Sequence, residues 1–100
     1  MPEMLTMFSL RDRVVLITGS SQGIGRALAD ACAQAGAHVV INARSAGNVD
    51  AVVEELTDAG HTASGHVADV TDPVEAEDMV AASFINGQTL FVDGGMTSVV

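Results

Sequence analysis

Short unbroken apolar runs alternate along this chain with longer stretches in which apolar residues return every three or four positions. Val14-Val15-Leu16-Ile17 is the first run, and its lack of polar alternation predicts a strand buried on both faces, central in a parallel sheet. From Ile24, the residues Ile24, Ala27, Leu28, Ala31, Cys32 and Ala35 fall on one helical face, with Arg26, Asp30 and Gln34 opposite. Arg26 stands one turn before Asp30 and predicts a weak ion pair. Gly36 should end that helix, and His38-Val39-Val40-Ile41 then reads as a second buried strand with His38 at its edge. Val49, Val52, Val53, Leu56 and Ala59 form the stripe of a second helix, stopped by Gly60, with Glu54, Glu55 and Asp58 largely outside. His61 to Ala68 contains a less hydrophobic strand, expected at a sheet edge and ending in Asp69-Val70. Thr71-Asp72-Pro73 predicts a third helix start, with Thr71 as N-cap and Pro73 in the first turn, and a last apolar run follows from about Gln88 to Asp93. Strands alternating with helices in this way predict an α/β fold with helices on both faces of a parallel sheet.

The stretch Thr18-Gly19-Ser20-Ser21-Gln22-Gly23-Ile24-Gly25 joins the first strand to the first helix, and that position gives a glycine-rich string a specific meaning. Gly19 allows a tight turn off the strand, Gly23 leaves room for a pyrophosphate to approach the backbone, and Gly25 permits close packing of helix and strand. Unpaired N–H groups of the first helical turn, with the positive end of the helix dipole behind them, can hold phosphate without a basic side chain. Ser20 and Ser21 have no partnered base and read as phosphate or ribose contacts rather than nucleophiles. After the second strand comes Asn42-Ala43-Arg44-Ser45, about 20 residues beyond the motif, where an NAD-binding fold usually places an acid on the ribose 2′-hydroxyl. No acid stands there. Arg44 offers a planar donor fork suited to a 2′-phosphate, which points to NADP(H) over NAD(H); a solvated loop arginine is the alternative.

Composition narrows the partners. With 13 acidic residues against 4 arginines and a formal charge of −9, the chain is a poor match for nucleic acid or an anionic membrane, so a nucleotide phosphate must be held locally. Cys32 is the only cysteine, which excludes an internal disulfide and fits a core thiol. The acids around Asp69, Asp72, Glu75, Glu77 and Asp78 lack a His or Cys at ligand spacing and suit the first turn of a helix, so no metal is expected. Met1 to Leu10 lacks a basic segment followed by a long apolar one, and a soluble, cytoplasmic protein is expected. One hundred residues leave room for one domain.

The glycine spacing in Thr18 to Gly25 resembles that of the short-chain dehydrogenase/reductase (SDR) family, and the resemblance extends over the first three strand-helix units, about residues 1–80. Phe84-Ile85-Asn86-Gly87-Gln88-Thr89-Leu90-Phe91-Val92-Asp93-Gly94-Gly95 resembles the family's last strand and tail, residues 83–100. The Ser-Gln-Gly-Ile-Gly and Asn-Ala-Arg wording is similar to gluconate 5-dehydrogenase and 3-oxoacyl reductase-like members. The resemblance implies a truncated Rossmann-type, doubly wound sheet in a single dinucleotide-binding domain, 1–100. It implies cofactor contacts at Gly19, Ser20, Ser21, Gln22, Gly23, Ile24, Gly25 and Arg44. Asp69 and Val70 become candidate adenine ligands, although Asp69 could equally face solvent at a strand terminus.

The family's catalytic Ser, its Tyr-x-x-x-Lys pair and its substrate loop have no counterpart between Met79 and Phe84, and the sequence contains no tyrosine and no lysine at all. Carbonyl reduction by the family's route uses a phenol to move the substrate proton and a lysine to lower its pKa. Three histidines, His38, His61 and His66, are the only side chains titrating near neutrality, and none is expected at the nicotinamide side. No catalytic residue is therefore assigned. Three readings stand: an NADP(H)-dependent oxidoreductase by descent whose catalytic segment is missing, a nucleotide-binding module without turnover, and a deletion product with no function, whose exposed sheet edge or tail invites homo-oligomerisation. The last strand lacks its usual neighbours, so it is expected beside the first strand, giving a four-stranded parallel order 3-2-1-4. Leu90, Phe91 and Val92 would then cover Val15 and Ile17, and Asp93-Gly94-Gly95 would close the phosphate crevice.

Overall fold

The computed structural model describes residues 9–83 and 89–93. Its elements are β1 (Val14–Thr18), α1 (Gly23–Gln34), β2 (His38–Ala43), α2 (Ala46–Asp58), β3 (Thr62–Val67), α3 (Pro73–Ser83) and β4 (Thr89–Asp93). All pairings are parallel and the sheet runs β3-β2-β1-β4, the expected order. All five residues of β1 are buried, which is what its unbroken apolar run demands of a strand with neighbours on both sides and helices on both faces. β3, none of whose six residues is fully buried, takes the edge.

The two faces of the sheet are filled by alternate residues of the same strands. Val15 and Ile17 of β1 and Val39 and Ile41 of β2 pack with Ala29 and Ala33 of α1 and with Val49, Val52 and Leu56 of α2. Val14, Leu16 and Val40 face the other way, onto Ala68 and the fully buried Met79 of α3. In β3, a Cβ on Gly65 would stand 2.3 Å from Val49 Cγ1, so the missing side chain is what lets α2 settle on this edge strand.

α1 departs from the expected stripe. Its buried positions are Gly25, Ala29 and Ala33, with Leu28 and Cys32 partly packed beside them, while Ile24 is 63% exposed. The helix carries alanine on nearly every side, so hydrophobic spacing alone does not fix its rotation; close approach to the sheet does, and it selects the smallest residues for the contact. Burial raises the Cys32 thiol pKa, as suits a packed thiol. Arg26 pairs with Asp30 as expected and also reaches Glu55 Oε2 of α2 at 3.2 Å, tying the two helices on this face. The expected stops hold: Gly36 and Gly60 follow α1 and α2 with φ of 102° and 93°, values that glycine adopts freely.

The N-cap of α3 is a correction. Asp72 Oδ1, not the Thr71 hydroxyl, accepts from the N–H groups of Val74 (2.9 Å) and Glu75 (3.4 Å). Pro73, as the first helical residue, fixes Asp72 as the preceding cap. The register Val15↔Leu90, Leu16↔Phe91 and Ile17↔Val92 places β4 along β1, and Val92 packs against the core. The expected roles of the Leu90 and Phe91 side chains and of Gly94 and Gly95 lie outside the described residues. No helix among the described residues is long and apolar enough to cross a membrane.

Candidate functional site

The β1 to β3 connections step in one direction across the sheet and β4 returns to the far side of β1. The C-terminal end of β1 is thus a topological switch point, where neighbouring connections part and leave a crevice. A cleft of about 470 Å³ opens there, lined by Gly19, Ser21 and Gln22 on one side and by Ala43, Arg44, Ser45, Asn48 and the segment Ala68 to Thr71 on the other, with Asn42 at its floor.

The turn side is made of backbone. Gly19 and Gly23 have φ of 60° and 63°, left-handed values that glycine takes without strain. Nothing lies within 4 Å of where a Cβ on Gly23 would be, so this position opens to space a ligand can occupy. Gly25 is governed by contact: a Cβ there would stand 2.3 Å from the Gly19 carbonyl oxygen and 3.0 Å from Ser20 Cα. It holds the helix against the turn, where the sequence suggested the strand. Gln22, the N-cap of α1, makes no side-chain cap hydrogen bond, and the first turn carries no acid. α2 is capped by Ser45 Oγ, which accepts from Asn48 N at 3.3 Å, and α3 by Asp72. The N-terminus of α1 beside the cleft thus keeps its donors and dipole uncompensated, the condition for an anion.

The sequence-based contact set divides in the structure. Gly19, Ser21, Gln22, Arg44, Asp69 and Val70 line the cleft, and Ser20, Gly23, Ile24 and Gly25 do not. Ser20 is a correction of role: fully buried, its hydroxyl donates to Ile17 O at 2.7 Å and accepts from Asn42 N at 2.9 Å. That side chain holds the turn to the sheet and is not presented to a phosphate. Ile24 projects outward at the helix start.

The opposite side is made of side chains. Arg44, exposed at the end of β2, closes no ion pair with another described residue, so its donor fork is available. Asp69 Oδ1 accepts from Thr71 Oγ1 (2.6 Å) and Thr71 N (2.9 Å), a compact turn in which the Asp69 N–H donates to Glu75 Oε1 at 3.1 Å. The Thr71 hydroxyl, then its backbone N–H, and to a smaller degree the Arg44 charge hold the Asp69 carboxyl below its ordinary pKa, so it is an anion and an acceptor at neutral pH. His38 lies at the opposite end of β2, its Nε2 2.9 Å from Ser64 Oγ, away from the cleft.

Sequence reasoning missed Asn42. It is 1% exposed, and its amide Oδ1 accepts from Gly19 N at 3.2 Å while Nδ2 donates to His66 O at 3.1 Å and Ala68 O at 3.2 Å. A polar residue ending the otherwise apolar run Val39-Val40-Ile41 was the available signal.

The family model for short chain dehydrogenase matches residues 13–90. The chain belongs to that family. It is 47% identical over 73 residues to an L-rhamnose 1-dehydrogenase (NAD(P)(+)) of a Sphingomonas species, covering 72% of this chain and 29% of that protein. A gluconate 5-dehydrogenase from Burkholderia cenocepacia, solved in complex with NADP and tartrate, superposes with a TM-score of 0.72 at 35% identity, over 79% of this chain and 31% of that one. A short-chain type dehydrogenase/reductase from Mycobacterium ulcerans gives a TM-score of 0.77 at 30% identity, over 86% of this chain and 33% of its own. This SDR chain thus spans about a third or less of the length of these relatives.

Proposed function

We propose that this SDR chain is a single dinucleotide-binding domain that holds NADP(H) in preference to NAD(H) and does not itself turn over a carbonyl or alcohol substrate. The observation that carries the reading is the pairing of an uncapped helix N-terminus and glycine turn on one wall of the cleft with Arg44, exposed and in no ion pair with another described residue, on the other. The residues present fit a dinucleotide: Gly19, Ser21 and Gln22 line the cleft beside the uncapped helix N-terminus, Arg44 offers a bidentate fork for a 2′-phosphate, and the segment Ala68-Asp69-Val70 offers an adenine edge. The relative solved with NADP supports the same choice.

When bound, the nicotinamide supplies hydride transfer. The residues of this chain bind and orient. They supply no phenol and no lysine, because the sequence has neither, so the family's proton-transfer route has no carrier here. Calorimetric titration of NADP⁺ and NAD⁺ into the wild type and Arg44→Ala tests the reading. One charge-assisted bidentate contact contributes roughly 1.5–3 kcal/mol, so the substitution should weaken NADP⁺ by about 10- to 100-fold and leave NAD⁺ unchanged. Equal affinity for the two cofactors in both proteins would overturn the preference, and dehydrogenase turnover that tracks the purified chain would overturn the absence of catalysis.

A further inference from the structure

The amide of Asn42, near the end of β2, reaches the ends of two other strands at once. Its Oδ1 takes the Gly19 N–H at the exit of β1, and its Nδ2 donates to His66 O and Ala68 O where β3 leaves the sheet. Its own backbone is locked to the turn by the pair Ser20 N to Asn42 O, 2.9 Å, and Asn42 N to Ser20 Oγ, 2.9 Å. The residue sits at the cleft floor with its carboxamide satisfied on both the oxygen and the nitrogen, and removal of either partner set leaves buried groups unpaired.

These bonds join the two walls of the cleft. Gly19 begins the phosphate turn, and Ala68 precedes Asp69 and Val70 on the opposite wall. We propose that Asn42 is a positioning residue that makes the phosphate turn and the Asp69–Thr71 turn a single unit, so that a ligand ordering one wall favours binding at the other. The inference rests on the dinucleotide reading above and goes beyond it, since that reading needs only that each wall have its own contacts. Two sites that bias one connected element are coupled reciprocally, and ordering by the first ligand lowers the ordering cost for the second.

The test splits the dinucleotide into probes for each wall: adenosine 2′-monophosphate for the Arg44 and Asp69 side and inorganic pyrophosphate for the turn. In the wild-type chain, saturating adenosine 2′-monophosphate should tighten pyrophosphate by about fivefold or more, the lower end of ordinary site-to-site coupling. Asn42→Asp keeps an acceptor for the Gly19 N–H and removes both donors to β3; Asn42→Ala removes all three bonds. Both variants should lose the tightening: whatever affinity each probe keeps on its own, that affinity should no longer change when the other probe is added, whereas a loss of stability alone weakens both probes and leaves their mutual dependence in place. Tightening that persists in either folded variant, or probes that bind the wild type independently, would overturn the inference. Failure of both probes to bind the wild type would instead overturn the dinucleotide reading and carry this inference with it. Should both variants fail to fold, amide exchange in the wild type decides without ligand: slow exchange of the Asn42 carboxamide protons and the Gly19 N–H upholds the bridge, and exchange at the free-peptide rate for either overturns it.

Discussion

The two walls of the cleft are built by opposite means. The turn between β1 and α1 is backbone geometry: two glycines at positive φ, a third with no room for a Cβ, and a serine hydroxyl buried beneath them. The wall formed after β2 and β3 is side-chain chemistry on exposed loops, with Arg44, Asp69 and Thr71 reaching outward. A site made of backbone tolerates almost no substitution at the residues that shape it, because the shape is the site. A site made of side chains can lose one contact and keep its form.

Substitutions should separate the two walls. Gly25→Val should have the largest effect: its Cβ would meet the Gly19 carbonyl oxygen at 2.3 Å, and since neither partner is a flexible side-chain end, helix and turn must part. We expect a loss of about 3 kcal/mol in a denaturant melt, the upper part of the range for overpacking, together with loss of measurable NADP⁺ binding. A protein of wild-type stability and affinity would break the contrast. Ser20→Ala should follow, costing about 1–3 kcal/mol, because it leaves the Asn42 N–H without its acceptor in a buried place.

On the side-chain wall, Ser45→Ala removes the cap of α2 and should cost about 1 kcal/mol, or a fall of about 4–8 °C in Tm, with pyrophosphate affinity unchanged. The smallest effect concerns Asp69. Its folded pKa lies below the ordinary 3.8, so the stability it contributes is present above that value and is lost as pH falls through the lower, folded pKa. Asp69→Asn should therefore lower the melt slightly at pH 7 and flatten the acid limb, with the two proteins converging below about pH 4. An acid limb identical to wild type would show that the Thr71 contacts do not favour the charged form.

The same contrast explains what could be read from the residues in order. Strand order followed from the continuous apolar run of β1, the weaker pattern of β3 and the free edge of β1. The phosphate turn was legible because positive φ and close approach leave glycine as a visible signature. Legibility failed where several residues could play one role. Alanines around α1 hid its rotation, and adjacent Thr71 and Asp72 are both good caps, with Pro73 deciding between them. Serines 20 and 21 look alike in sequence, yet one is buried under the turn and the other lines the cleft. Asn42 was invisible as a bridge because its partners, Gly19, His66 and Ala68, are backbone groups up to 26 residues away.

The exposure of Arg44 at the cleft has a kinetic consequence. A chain of formal charge −9 repels a polyanionic ligand at long range, and only within roughly a Debye length, about 8 Å at physiological salt, does a single guanidinium dominate its surroundings. Added salt should therefore act twice and in opposite senses: it quickens encounter by screening the repulsion, and it hastens departure by weakening the hold of Arg44. The equilibrium constant would change little while both rate constants rise, so the electrostatics of this cleft would be seen in stopped-flow traces and scarcely at all in a titration.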